Sequence, residues 1–217
     1  MAQNSPLVYG WTPSKLDGTE YIASYDNEEL PTAFSYEHVI PKVHDQGSES
    51  TCVVHALSAT YDWFESLMNS TPKSYNFSIY NIYDRRENKG EGMSFKNALS
   101  ILRHYGAVTT KEYRLKDFSY AQTIKEYAMI RNIMSLKQSI LMNGPCLIAT
   151  MVKNPNSPEY WKGYQNFGGH AVSCVGWDQT GIIIRNSWGT DWGYNGYTHM
   201  NYEDFNQYVL EAWTFII

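Results

Sequence analysis

Cysteine is scarce in this sequence, with three among 217 residues, and no long apolar or basic run is present. An odd and sparse set of cysteines argues against a disulfide framework and favours a reducing compartment, so we expect a cytoplasmic protein. No segment reaches the 18 apolar residues of a membrane span, and the first ten residues lack the features of a signal peptide. We therefore expect no membrane partner and no secretion through a signal peptide.

Charge is also limited, with a formal net charge of -5 and no cluster of Lys and Arg. The electrostatic footprint of a nucleic-acid binder is missing, and we expect no nucleic-acid partner. Aromatic residues are abundant instead, with 18 Tyr and 7 Trp, and 43% of residues are hydrophobic. This composition is that of a globular domain with a sizeable core, whose substrate or ligand selection must come from a pocket.

Two kinds of hydrophobic periodicity divide the chain. Apolar residues at steps of three and four from Cys52 to Met68 predict a core-facing helix, and shorter patterns predict helices at about 79–86, 95–106 and 133–143. After Pro145, short apolar or alternating runs predict antiparallel strands at 146–152, 171–177, 181–185, 197–201 and 209–216. A helical half before a β-rich half predicts the α+β class. Residues 1 to about 30 show neither period and are interpreted as an arm.

Cys52 would lie in the first turn of the first long helix. A thiol at a helix N-terminus beside an imidazole is shifted toward the nucleophilic thiolate. The alternative is that Cys52 is a small buried hydrophobic residue, as free cysteines often are. The small and polar residues at 47–51 favour exposure.

His170 and Asn186 are the other candidate catalytic residues. His170 follows Gly168 and Gly169, which remove bulk near its ring as an open cleft requires, and Asn186 follows an apolar run. Taken alone, each residue has an ordinary alternative. The alternative for His170 is a strand-end histidine hydrogen-bonded to backbone, and the alternative for Asn186 is a turn residue. His55, three residues after Cys52, is a rival base, but a histidine on the same rigid helix cannot easily reach across a cleft. No second close Cys/His pair is present, so we expect no metal and no cofactor.

Three blocks carry a family resemblance when taken together. The segments 46–52, 168–172 and 185–189 resemble, in order, the three motif blocks of papain-like cysteine peptidases, and the resemblance covers about residues 31–217. Glu49 and Val53 stand where the family has Cys and Trp, and the family's disulfide positions are missing, so secreted cathepsins fit poorly. The chain more closely resembles xylellain-like peptidases of bacteria and large viruses, and a viral protein could also reside in a virion.

The resemblance implies a two-lobed fold with a helical lobe at about 46–110, a β-rich lobe at about 111–217 and the active site in the cleft between them. It implies Cys52 as nucleophile, His170 as its base and Asn186 as the residue that orients the base. Gln46 would form the oxyanion hole with the Cys52 backbone N–H. Trp188 would shield the His170–Asn186 hydrogen bond from water.

The same resemblance implies where substrate binds. Gly92 would pair with extended substrate backbone. The pocket for the second residue before the cleavage point would be lined by Met93, Ala149, Gly168 and Ala171, with Gly169 and Trp188 beside it in the cleft. This pocket is expected to be apolar, and the alternative for Met93 is an ordinary core methionine.

The function implied is that of a cysteine endopeptidase acting on peptides or proteins. Alternatives are an inactive papain-fold binding protein, suggested by the loss of Trp after Cys52, and an acyl transferase or deamidase with the same triad. The arm at residues 1–30 is interpreted as lying over or beside the cleft and limiting access. The alternative is a strut packed on the back of the β-rich half.

Overall fold

The structure is a computed structural model and describes residues 9–26, 29–41, 43–90, 92–152 and 169–217. Its helices are α1 (Cys52–Asn69), α2 (Ile79–Tyr83), α3 (Phe95–Tyr105), α4 (Thr110–Leu115), α5 (Ile133–Asn143) and α6 (Tyr202–Tyr208). Its strands are β1 (Phe34–Ser35), β2 (Glu126–Met129), β3 (Cys146–Met151), β4 (Gly169–Trp177), β5 (Gly181–Arg185), β6 (Tyr197–Asn201) and β7 (Val209–Ile216). Among the described helices, none is long and apolar enough to cross a membrane. The α+β class is confirmed.

The central helix α1 forms because its apolar residues recur on a face that packs into the core, where Val54, Leu57 and Tyr61 are fully buried. Its first residue is Cys52, and the N-cap residue Thr51 makes no side-chain capping bond. The helix packs against β4, where the Ser173 hydroxyl donates to the Ala56 carbonyl at 2.8 Å. Burial of the α1 face thereby fixes Cys52 against the strand that carries the candidate histidine.

The sheet has the strand order β2-β7-β3-β4-β5-β6, and β1 pairs with one end of β4. All its pairings are antiparallel. β3 places Ala149 opposite Ala171 on β4 and opposite Glu211 on β7. Because residues directly opposite in an antiparallel pair share a face, these three side chains lie on one side of the sheet.

The expected long elements are present, and short ones were missed. Strands β5, β6 and β7 have the expected bounds, and α1 ends one residue beyond Met68. The helices α4 and α6 and the strands β1 and β2 carry too few residues to show a period. Local capping chemistry accounts for α4, where Thr109 and Glu112 form a reciprocal capping box.

The arm follows an extended path along the folded domain. Beyond residue 13, Lys96 binds the carboxylates of Asp17 and Glu20 at 3.0 and 2.7 Å. The arm then pairs with β2, where the Met129 N–H donates to the Tyr21 carbonyl and the Ala23 N–H donates to the Met129 carbonyl, both at 2.8 Å. The described part of the arm is therefore fastened by ion pairs and by backbone hydrogen bonds.

Candidate active site

Cys52 is fully buried, which differs from the exposure expected from its neighbours. The difference arises from a distant segment, because the arm residue Gly10 lies against the thiol and its backbone is among the groups that lower the pKa of Cys52. Burial outweighs them and raises the pKa of Cys52 to about 11. In this arrangement the thiol is protonated at neutral pH.

His170 and Asn186 lie together on neighbouring strands. His170 is near the start of β4, Asn186 follows the last residue of β5, and His170 Nε2 is 2.8 Å from Asn186 Oδ1. Burial lowers the pKa of His170 to about 4, although the bond to Asn186 acts in the opposite direction. Nε2 of the His170 ring therefore faces Asn186, and Nδ1 lies on the other side of the ring.

The His170–Asn186 bond is covered by aromatic rings. Trp188 stacks on His170 with ring centroids 4.6 Å apart and an interplanar angle of 23°. Trp192 packs edge-on against Trp188 at 5.2 Å. Tyr9 from the arm packs edge-on against His170 at 6.0 Å and against Trp188 at 6.3 Å. A hydrogen bond in such a low-dielectric environment is stronger than one exposed to water.

The Gln46 side chain is held in place by two neighbours. Its Oε1 accepts a hydrogen bond from the Ser187 hydroxyl at 2.6 Å, and its Nε2 donates to the Glu49 carbonyl at 2.8 Å. The Gln46 backbone N–H also donates to the Ser187 carbonyl at 2.8 Å. These bonds join the segment before α1 to the segment after β5, and they fix the orientation of the side-chain amide.

A buried ion cluster supports the end of β5 that leads to Asn186. Asp62 on α1 is fully buried, with its Oδ2 3.6 Å from Arg185 Nη2 and 3.7 Å from His44 Nε2. Its Oδ1 accepts from the Tyr75 N–H at 2.9 Å. Burial raises the pKa of Asp62, and the charges of His44 and Arg185 act against this shift.

The arm runs through the space beside Cys52. The Met93 N–H donates to the Gly10 carbonyl at 2.9 Å, and the Thr12 N–H donates to the Met93 carbonyl at 3.0 Å. On the other side, the Trp11 N–H donates to the Gly169 carbonyl at 3.3 Å. The fit is close, because a Cβ on Gly169 would lie 2.1 Å from Cε3 of Trp11.

Most of the expected substrate-binding residues lie around this arm segment. Met93, Ala149 and Ala171 are buried in one hydrophobic cluster, and Trp11 packs against it. A Cβ on Gly92 would lie 2.5 Å from the Gly10 carbonyl oxygen, so glycine is needed where the two backbones meet. Gly169 contacts Trp11, and Trp188 stacks on His170. Gly168 lies outside the described residues.

The geometry around His55 does not support it as the base. The His55 ring is bonded through Nδ1 to the Thr51 carbonyl at 3.1 Å within its own helix. Burial lowers the pKa of His55 to about 4. Among the described residues, no group of three or more His, Cys, Asp or Glu side chains could hold a metal ion.

Sequence reasoning missed several residues of this site. Ser187 lies in the same block as Asn186, but nothing in the sequence pairs its hydroxyl with Gln46, which is 141 positions away. The aromatic character of Tyr9 and Trp11 was a usable signal that the arm is covered by another surface. The sequence does not indicate which surface covers the arm, because the residues that contact Tyr9 and Trp11 are distant along the chain, at positions from 93 to 188.

The chain is similar to papain-like cysteine proteases in sequence and in fold. The family model described as papain family cysteine protease matches residues 30–215. A cathepsin B-like protein of Giardia intestinalis is 26% identical over 81% of this chain and 70% of its own length. A peptidase C1-like protein of Acanthamoeba polyphaga mimivirus is 22% identical over 90% of this chain and 81% of its own. The crystal structure of xylellain, a cysteine protease from Xylella fastidiosa, superposes with a TM-score of 0.78, at 24% identity and with 96% of this chain and 95% of that chain covered.

Proposed function

The chain belongs to the papain family of cysteine proteases, and from that premise we propose that it is an endopeptidase whose acyl-enzyme forms on Cys52. The observation that supports this most is the His170–Asn186 bond of 2.8 Å, stacked beneath Trp188 and next to the helix that begins with Cys52. We assign Cys52 as the nucleophile, His170 as the base and Asn186 as the group that orients the base. Peptides or proteins are the substrate class.

The proposed steps assign one role to each residue. The thiol proton of Cys52 passes to His170 Nδ1, and the thiolate attacks the carbonyl carbon of the scissile bond. The imidazolium then gives its proton to the leaving amine as the acyl-enzyme forms. A water molecule, deprotonated by the same nitrogen, hydrolyses the thioester and regenerates the thiol.

We assign two hydrogen-bond donors to the negative oxygen of the tetrahedral intermediate. One is the Gln46 side-chain amide, whose Nε2 donates one hydrogen to the Glu49 carbonyl and carries a second. The other is the backbone N–H of Cys52, in the first turn of α1, where amides lack helical partners. Ser187 is a positioning residue, because its hydroxyl holds the other end of the Gln46 amide.

Ser187→Ala is expected to lower kcat by about tenfold, less than the 10²–10³-fold loss typical of deleting an oxyanion donor, because Gln46 stays but loses its orientation. Ser187→Thr keeps the hydroxyl and should restore most of kcat. Steady-state kinetics of Gln46→Ala with and without Ser187→Ala provide the decisive comparison. If Ser187→Ala costs as much in the Gln46→Ala background as alone, the positioning role is excluded.

We further propose that the arm blocks the cleft. Gly10 and Trp11 form hydrogen bonds with the backbone of Met93 and Gly169, two of the residues expected to line the substrate-binding cleft. The Gly10 carbonyl oxygen accepts a hydrogen bond from the Met93 N–H at 2.9 Å, and the Gly10 backbone lies against the Cys52 thiol. The arm therefore occupies the space beside the proposed nucleophile.

The arm also sets the protonation state of the catalytic pair. With the pKa of Cys52 at about 11 and that of His170 at about 4, both groups are neutral between these values. Since burial is the main cause of both shifts, release of the arm admits water and favours the thiolate–imidazolium pair. The ultraviolet absorbance of thiolate, taken as the difference between the native chain and Cys52→Ala, is expected to appear only toward pH 11. Thiolate at neutral pH in the native chain would contradict this protonation state.

Active-site titration tests the proposed function. An irreversible epoxide reagent should label one thiol per chain, and loss of peptide hydrolysis should follow labelling in proportion. The labelled residue, identified by mass spectrometry, should be Cys52. The Cys52→Ala chain should not be labelled by the epoxide. A chain that binds peptides yet neither hydrolyses them nor reacts with the epoxide would be an inactive binding protein.

A further inference from the structure

Cys146 and Cys174 are two buried cysteines that the proposed mechanism does not use. They lie directly opposite each other in the antiparallel pairing of β3 with β4, and both are fully buried in a second hydrophobic cluster, which also contains Ile148 and Trp177. Because directly opposite residues share a face of the sheet, the two thiols lie on the same side of it. Cys52 is on α1 in the first hydrophobic cluster, so the set of three cysteines divides into one proposed nucleophile and one cross-strand pair.

Both thiols lean toward the same end of this strand pair. The Cys146 thiol donates to the Gly144 carbonyl at 3.7 Å, and the Cys174 thiol donates to the Gly176 carbonyl at 3.6 Å. Since position 146 is opposite position 174 in an antiparallel pair, positions 144 and 176 lie at one end of it. The two sulfur atoms are therefore on one face and displaced in one direction, which keeps them close. Burial raises the pKa of Cys146, and the neighbouring Cys174 raises it further.

The spacing of paired strands suits a disulfide at this position. Opposite Cα atoms in an antiparallel pair are about 4.5 or 5.5 Å apart, and disulfides form at Cα separations of about 4.4–6.8 Å. The Cβ atoms of such a pair must approach by about 1 Å to reach the Cβ spacing of a disulfide. The register of β4 against β5 shifts just after Cys174, and strands bend and twist at such irregularities. A small local movement of β4 therefore brings the sulfur atoms into bonding distance.

We propose that Cys146 and Cys174 form a cross-strand disulfide when the chain folds under oxidising conditions, and that this bond stabilises the folded chain. The oxidant is a small-molecule disulfide such as oxidised glutathione. The thiolate of one cysteine attacks it, which forms a mixed disulfide and releases one molecule of reduced glutathione. The thiolate of the other cysteine then displaces the second glutathione. The two cysteines lose two electrons and two protons, and the glutathione disulfide gains them.

This exchange takes place while the chain folds, because both thiols are unreactive once they are buried. Burial raises the pKa of Cys174 to about 12 and that of Cys146 well above its usual range, so neither is a thiolate at neutral pH. In the unfolded chain both thiols titrate near the usual value of about 8.5. The scarcity of cysteine argued against a framework of several disulfides, and a single bond between two central strands of the sheet adds to a hydrophobic core that is already present.

Refolding of the full chain with Cys52→Ala tests the inference, because this variant retains only the two cysteines of the pair. It is unfolded with denaturant and reductant, and then refolded with either oxidised glutathione or dithiothreitol present. After refolding with oxidised glutathione, iodoacetamide in denaturant should label neither cysteine. Mass spectrometry of a proteolytic digest should then find the peptides that contain Cys146 and Cys174 joined. The sample refolded with dithiothreitol should be labelled at both positions.

Thermal unfolding of the same two preparations measures the effect of the bond on stability. Because a cross-link restricts the unfolded chain, the oxidised sample should melt about 5 °C or more above the reduced sample. The matched control carries Cys146→Ala and Cys174→Ala as well, and its melting temperature should not depend on glutathione. Two labelled cysteines after refolding with oxidised glutathione, or a glutathione bound separately to each, would overturn the proposed bond. A joined chain that melts no higher than the reduced chain would overturn its stabilising role.

Discussion

Cys52→Ala is expected to abolish peptide hydrolysis, with a loss in kcat on the order of a million-fold, as for deletion of the nucleophile in a serine protease. The loss is large because the remaining groups cannot form the acyl-enzyme, and the proposed route for bond cleavage disappears. The free energy of unfolding should fall by about 1 kcal/mol, because the substitution removes one buried sulfur atom and leaves the rest of the core in place. Steady-state kinetics and thermal unfolding of the same preparations measure both quantities.

Cys174→Ala is the matched control. Cys174 is also a free and fully buried cysteine, but it lies on the other side of β4 in the second hydrophobic cluster. It should lose stability and retain activity per folded molecule. Activity remaining in Cys52→Ala, or lost in Cys174→Ala with the fold intact, would show that the nucleophile is misassigned. His170→Ala and His55→Ala extend the comparison, and the first alone should inactivate.

Gly10→Ala is expected to raise kcat/KM by about tenfold or more, which is unusual for a change outside the catalytic residues. A Cβ at this position would lie 2.1 Å from the Ser50 carbonyl oxygen, which belongs to the backbone and cannot relieve the clash by rotating. The arm segment beside Cys52 must therefore move away from the thiol. Because activity of the native chain is limited by the fraction of molecules with an open cleft, a shift toward the open state increases the observed rate.

Iodoacetamide labelling of Cys52 provides an independent measurement for Gly10→Ala. Labelling at neutral pH should accelerate together with peptide hydrolysis, since thiol exposure and thiolate formation have the same cause. Tyr21→Ala is the control, because this exposed arm residue contacts β2 through its backbone and not through its ring. A lower melting temperature of Gly10→Ala without faster hydrolysis or faster labelling would leave the arm as a structural strut.

The sequence allowed the fold class and the main elements to be predicted wherever a period spans enough residues. Helix α1 and strands β5 to β7 are examples, since their burial patterns repeat over at least two turns or two pleats. His170 and Asn186 were found through short blocks whose order along the chain carries family information. The family resemblance implied their hydrogen bond, whereas its geometry depends on the register of β4 with β5, which the sequence alone does not give.

Contacts between distant segments explain what the sequence left open. The residues before Cys52 are small and polar, so local composition indicated an exposed thiol. The thiol is buried instead, because the arm passes over it. Glu211 occurs within an apolar strand pattern, where an alternating acidic residue ordinarily faces solvent. Its side chain is buried because both faces of β7 are covered, with Trp213 in the first hydrophobic cluster and Ala212 in the second.

The fastening of the arm outside the cleft determines the kinetics of its inhibition. The ion pairs of Lys96 with Asp17 and Glu20, and the pairing of residues 21–23 with β2, keep the arm close to the cleft even when Trp11 moves out of it. Because the arm is part of the same chain, its return is a first-order process with an effective concentration on the order of millimolar. Dilution of the protein should leave its specific activity constant, whereas a tight substrate should overcome the block in a saturable manner.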